Sequence, residues 1–167
     1  LQLAVQRFGA RDALTLDSIV VLASGSGDDS TEIASVRLAI DVNRDGLLDA
    51  GDTPLGAPAT FAVDNGVVSF DALALALPPD ASTQILVLLD IAASAVLGRT
   101  FSVRVEPSDV VVQGAEGRVP PRGTTAQGPL VTVVEGVPPT VSIDSPTNRI
   151  YEQGTTLQIF VTASDNV

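Results

Sequence analysis

Residues 41–52 read Asp41-Val42-Asn43-Arg44-Asp45-Gly46-Leu47-Leu48-Asp49-Ala50-Gly51-Asp52, the densest run of hard oxygen donors in the chain. Calcium takes six to eight oxygen ligands at about 2.3–2.6 Å, and a twelve-residue loop supplies them from positions 1, 3, 5, 7, 9 and 12. Those positions hold Asp41, Asn43, Asp45, Leu47, Asp49 and Asp52. Leu47 would contribute its backbone carbonyl, and Asp49 would act directly or through a water. Gly46 stands at position 6, where the loop turns sharply and a positive φ is needed. Leu48 is placed to point inward and anchor the loop. The opposing reading is a polar loop whose Asp and Asn side chains bond their own backbone in Asx-turns.

Other reactive chemistry is scarce. The 167 residues include no Cys and no His, and the nine basic residues are all Arg. Disulfides, thiolate nucleophiles, Cys/His zinc sites and the commonest general base are thereby excluded. Serines have no His or Lys to activate them, so the chain is not expected to be an enzyme. Gly25-Ser26-Gly27-Asp28-Asp29-Ser30 lacks the lysine of a phosphate cradle and reads as a loop, with Asp28 or Asp29 as a minor candidate to approach the calcium. Asp90, which interrupts an apolar run, is expected at a strand end or facing solvent.

Acidic residues number 20 against 9 basic, a net charge of -11, which leaves no basic stripe for nucleic acid or for an anionic membrane. The longest apolar run, 85–97, is too short for a bilayer core of roughly 30 Å and is broken by Asp90.

The elements that must position the acidic loop are strands. Leu14, Leu16, Val20 and Leu22 are expected on one face of the first, and Val36, Leu38 and Ile40 on the inner face of the next, with Arg37 and Asp41 outward. Phe61 and Val63 mark a short strand that turns at Asp64-Asn65-Gly66 into a return strand from Val67. The leucines at 73, 75 and 77 are out of phase with Phe70, which calls for a bulge near Asp71-Ala72 or a crossing between sheets. Residues 84–91 read as a central buried strand, with a buried helix over 85–97 as the alternative. Phe101, Val103 and Val105 alternate with polar residues, and Val110 to Val112 extend the pairing. Residues 114–128 are a surface loop or the start of a linker, and Leu130 to Val134 a last strand.

About seven short strands predict an all-β fold, an antiparallel β-sandwich of immunoglobulin-like or Greek-key type, followed by a partial second β-sandwich. The expected organisation is a calcium-loop module over 1–134, a Pro-rich hinge over 135–139, and the start of an immunoglobulin-like domain over 140–167. With no Met at residue 1 or elsewhere, the chain is expected to be an excerpt of a longer protein.

The acidic loop resembles the calcium loop of EF-hands and, more closely, the shortened loops of dockerins and related bacterial surface proteins. It departs from the EF-hand in following a strand and in carrying Asp52 rather than Glu at position 12. The order of elements from Ala13 to Gly114, with Asp41 to Asp52 followed by Leu55-Gly56, looks like modules of large secreted or surface proteins of bacteria. Pro138-Pro139-Thr140-Val141-Ser142-Ile143-Asp144-Ser145-Pro146 and the run from Tyr151 to Val167 resemble the opening of bacterial immunoglobulin-like repeats. These resemblances imply a calcium-stabilised structural or adhesive module of an extracellular multidomain protein. Its partners would be neighbouring modules of the same chain, surface proteins or glycans. The alternative is a carbohydrate-binding or scaffold-docking accessory module of a secreted enzyme, disfavoured by the absence of Trp and the single Tyr.

Overall fold

The computed structural model describes residues 1–8 and 13–134, and the backbone of 140–145 and 160–164. The chain divides into two compact units, Leu1–Val133 and Val134–Val167.

The first unit is all-β. Its strands are β1 (Gln2–Gln6), β2 (Leu14–Gly25), β3 (Ile33–Ile40), β4 (Thr53–Pro54), β5 (Val67–Phe70), β6 (Leu75–Leu77) and β7 (Ser82–Ile91). They continue with β8 (Thr100–Val105), β9 (Val110–Gly114), β10 (Gly117–Val119), β11 (Ala126–Gln127) and β12 (Val131–Thr132). One helical turn, α1 (Asp29–Glu32), precedes β3, and one 3-10 turn (Pro107–Asp109) separates β8 from β9. No helix among the described residues is long and apolar enough to cross a membrane.

Two antiparallel sheets result. The four-stranded sheet has the order β1-β7-β3-β4. The eight-stranded sheet is organised by β2, which pairs with β5 and β6 along one edge and with β8 and β9 along the other. Inward-facing residues of both sheets join in one apolar core, including Leu16, Ile19 and Phe101 from one and Val36, Ile85 and Val87 from the other. Each such side chain contributes roughly 1.5–3 kcal/mol by leaving water. With few aromatics in the chain, β-branched residues fill most of this space, and their preference for extended backbone is satisfied at the same time.

The apolar run at 84–91 is strand, not helix. It lies within β7, which pairs with β1 over 82–86 and with β3 over 85–91, and its middle residues Ile85, Leu86 and Val87 are buried. Asp90 is the penultimate residue of this strand, opposite Ser35, and its side chain is partly exposed. The faces of β2 differ from the simple alternation. Leu16, Ile19, Val21 and Ala23 are buried, whereas Val20 and Leu22 are only half-buried. The reason is an irregularity against β9 between Leu16 and Ser18, which shifts the side-chain phase by one residue. The opposite edge carries the matching feature. Phe70 faces Ile19 and Leu75 faces Leu16, so four residues (71–74) span the two residues Asp17 and Ser18. Ala72 and Ala74 reach φ of 54° and 49° to make this excursion, which accounts for the change of phase between Phe70 and the leucines.

The expected hairpin at 61–70 does not form. Phe61 is buried in the core, Val63 is exposed, and neither belongs to a strand. Asn65 does take a positive φ of 50°, but its turn is tied elsewhere: its N–H donates to Asp29 Oδ2 at 2.9 Å, and its Oδ1 accepts from Gly25 N at 3.1 Å. The return strand β5 then pairs with β2. Residues 114–128 are no free linker, because β10 pairs with β9 and β11 with β8. The last strand, β12, also pairs with β8.

In the second unit β13 (Thr140–Ser145) pairs antiparallel with β14 (Phe160–Ser164), from Thr140 opposite Ser164 to Ser145 opposite Phe160. The expected hinge at 135–139 and the stretches 146–159 and 165–167 lie outside the described residues.

Candidate functional site

The acidic loop closes a hairpin. Strand β3 delivers Asp41, β4 receives the chain after Asp52, and the pair Ile40–Thr53 seals the base. Asp41 continues the β3 ladder, its N–H donating to Gln84 O at 3.0 Å. Its side chain does not face solvent as alternation suggested. It is 2% exposed, because the loop folds back over it. Asp41 Oδ2 accepts from Gly46 N at 3.0 Å and from Gln2 Nε2 at 2.8 Å, and Oδ1 accepts from Arg44 N. Two positive φ angles, 63° at Arg44 and 79° at Gly46, turn those two N–H groups onto one carboxylate.

The other predicted side-chain ligands accept from the loop's own backbone, although Asn43, Asp45 and Asp49 are exposed. Asn43 Oδ1 accepts from Asp45 N at 3.1 Å, and Asp45 Oδ1 from Leu47 N at 2.8 Å. Asp49 Oδ1 accepts from Gly51 N at 2.6 Å. Asp52 bridges the ends of the loop, accepting from Val42 N at 3.0 Å through Oδ1 and from Asp49 N at 3.1 Å through Oδ2. The side-chain amide of Asn43 stands between two carboxylates, with Nδ2 3.0 Å from Asp45 Oδ2 and 2.7 Å from Asp49 Oδ2. A partly positive N–H2 group thus offsets repulsion between two anions that would otherwise face each other.

The loop is therefore wound by Asx-type bonds, the arrangement that the opposing sequence reading described. Among the described residues, no three carboxylates stand together as a metal-holding group. The donor chemistry nevertheless fits a hard cation: four carboxylates, an amide oxygen and the Leu47 carbonyl, with Arg44 as the loop's one cation. Leu47 is 68% exposed and leaves its carbonyl unencumbered by core packing. Leu48, expected to anchor the loop, is 46% exposed, and Gln2 and the buried Asp41 perform the anchoring instead. Gln2 and Arg44 were not recognisable from loop spacing. Gln2 reaches the loop only because β1 lies beside β7, and Arg44 steadies it by donating from Nη2 to Ser82 O at 2.8 Å.

A second acidic group surrounds α1. Asp28 caps that turn, accepting from Ser30 N at 3.0 Å and from Ser30 Oγ at 2.6 Å, and the serine hydroxyl holds its carboxyl below the usual range. Glu32 reaches back to Asp28 N at 2.7 Å and across to Val96 N at 2.8 Å. Asp29 is fully buried; burial pushes its carboxyl up, with Asp64 and Asp28 adding repulsion, and its Oδ1 has no hydrogen-bond partner among the described residues. Neither Asp28 nor Asp29 hydrogen-bonds the 41–52 loop, since their partners are Ser30 and Asn65. Asp90 is held below the usual carboxylate range by the Arg37 guanidinium and by Ser35 Oγ.

No protein-family model matches this chain, and neither curated proteins nor solved structures yield a match to it.

Proposed function

We propose that residues 1–134 form a calcium-stiffened β-sandwich module with a structural or adhesive role in an extracellular, multidomain bacterial protein. The observation that carries this reading is the Asn43 amide, bracketed by Asp45 and Asp49 inside a loop whose carboxylates accept from the loop's own backbone. Turning that amide over would direct its oxygen at the same space, at the cost of the bond that oxygen now accepts from Asp45 N. A divalent cation would then supply the positive charge in place of the amide hydrogens. Asp41, Asn43, Asp45, Asp49 and Asp52, with the Leu47 carbonyl, would hold it. Supporting the sandwich reading is the single core shared by two antiparallel sheets. The loop is a strand-to-strand connection, so binding would stiffen a hairpin and has no helix pair to open.

The test is thermal melting of the 167-residue chain in 1 mM calcium and in excess EDTA, with Asp41→Ala/Asp45→Ala as control. The expected result is a calcium-dependent rise that the double substitution abolishes. A cation a hundredfold above its dissociation constant adds about 2.7 kcal/mol. Identical melting in both buffers overturns the reading.

A further inference from the structure

Strand β1 alternates exposed Gln2, Ala4 and Gln6 with inward Leu3 and Val5, and Arg7 continues the inward row. Its N–H donates to Ala81 O at 3.4 Å, which prolongs the strand's pairing by one residue. The row borders a cleft of about 590 Å³. Across it lie apolar side chains from the other sheet, among them Leu77, Val112 and Val119. That volume lies within the roughly 300–1,000 Å³ of small-molecule sites, which are apolar with a few convergent polar groups.

Arg7 is the unusual member. It is 7% exposed, yet its side-chain hydrogen bond is from Nη1 to Leu77 O at 3.2 Å, and no carboxylate pairs with it among the described residues. A guanidinium carries five N–H donors, and a buried cation without a counter-anion is costly. Among the described residues the cleft's charged lining is Arg7, Arg122 and Glu106, two positive against one negative in an acidic chain, and Glu106 is already engaged by Arg104 Nε at 3.3 Å. Phe8, 82% exposed, stands at the same cleft and leaves an apolar ring uncovered.

We propose that this cleft binds a medium- or long-chain alkyl carboxylate, its head on Arg7 and its chain along Leu3, Val5, Val112 and Val119. The match is one of pattern: an apolar row ending in a buried fork of donors complements an apolar tail ending in a planar anion. The site is separate from the acidic loop and does not depend on calcium.

Calorimetric titration of the full chain with decanoate, below its aggregation concentration, tests the proposal, with acetate and decyltrimethylammonium as comparators. Saturable one-to-one binding of decanoate is expected, at least tenfold tighter than either comparator. Arg7→Leu lowers the affinity at least tenfold, while Arg7→Lys, which keeps the charge but not the planar fork, binds with an affinity between those of the parent and Arg7→Leu. Val119→Trp, on the partly exposed wall, fills the cleft and abolishes binding with Arg7 intact, and so decides the matter if Arg7→Leu does not fold. Absence of saturable decanoate binding overturns the proposal. So does equal affinity for the cationic amphiphile, or undiminished binding by folded Arg7→Leu or Val119→Trp.

Discussion

Asn65 donates its backbone N–H to Asp29 Oδ2 at 2.9 Å, so the turn that leads into β5 hangs on a fully buried carboxylate whose other oxygen has no hydrogen-bond partner among the described residues. The ionised acid is disfavoured there, and its folded pKa lies above the ordinary 3.8. The native state therefore binds this proton more tightly than the unfolded chain. Stability from this group is greatest below pH 3.8, falls as pH rises toward the folded value, and stays reduced above it. Asp29→Asn keeps an acceptor for Asn65 and removes the charge. It is expected to be more stable than the parent at pH 7 by about 1 kcal/mol, with the difference shrinking in acid. Urea denaturation across pH measures this, and a variant less stable at pH 7 and equally so in acid contradicts it.

Within the acidic loop, burial separates Asp41 from its neighbours. Asp41 accepts three hydrogen bonds at 2% exposure, whereas Asp45 and Asp49 are exposed. In calcium-free buffer, Asp41→Ala should cost about 2–4 kcal/mol, because three donors lose their acceptor. Asp45→Ala and Asp49→Ala should each cost less than about 1 kcal/mol. Equal losses at all three positions in chemical denaturation would show that burial is not what distinguishes them.

Gly27 packs against Phe101 so closely that an added Cβ would overlap the ring at Cζ and Cε1. Phe101 is fully buried in the core and has no room to withdraw. Gly27→Ala is expected to destabilise by about 2 kcal/mol or more. Combined with Phe101→Leu, the loss should be smaller than the sum of the two single changes, since the smaller side chain vacates the contested space. Additive losses in a double-mutant cycle would place the cause elsewhere.

Arg37 and Asp90 pair through two hydrogen bonds across β3 and β7, at 2.7 and 2.6 Å. Both side chains are more than a third exposed, so solvent screens the pair. Asp90→Asn is expected to cost only about 0.5–1 kcal/mol, and less in 1 M salt. The folded pKa of Asp90 is lowered, so this contribution is complete above pH 3.8 and is lost as pH falls through the folded value. A loss that persists undiminished in high salt or in acid would assign Asp90 a role other than ion pairing.

Strand content was readable from period-2 alternation, because each sheet face meets either apolar core or water and each residue along a strand reports which. Phe101, Val103 and Val105 were placed by that alternation, whereas 84–91, a nearly continuous apolar run, was read as strand from the turn residues that bracket it. The acidic loop was equally legible as a run of oxygen donors around Gly46. Alternation assumes an unbroken ladder, however. The irregularity at Leu16–Ser18 exchanged Val20 and Leu22 for Ile19, Val21 and Ala23 in the core, and nothing local announces such a slip.

Partner choice belonged wholly to the tertiary structure. The turn at Asn65 has the sequence of a hairpin, yet bonds to Asp29 and Gly25 outweigh local pairing with 61–63 and send β5 to β2. Asp41 is polar and stands where alternation points outward, but Gln2 and the loop's own N–H groups satisfy it in a buried position. Arg7 acquires significance only when β1 takes its place beside β7 and borders the cleft. Residue type sets what each group can bond. Which partners it meets depends on contacts between residues as much as 86 apart in sequence, as between Leu1 and Val87, and no local pattern encodes them.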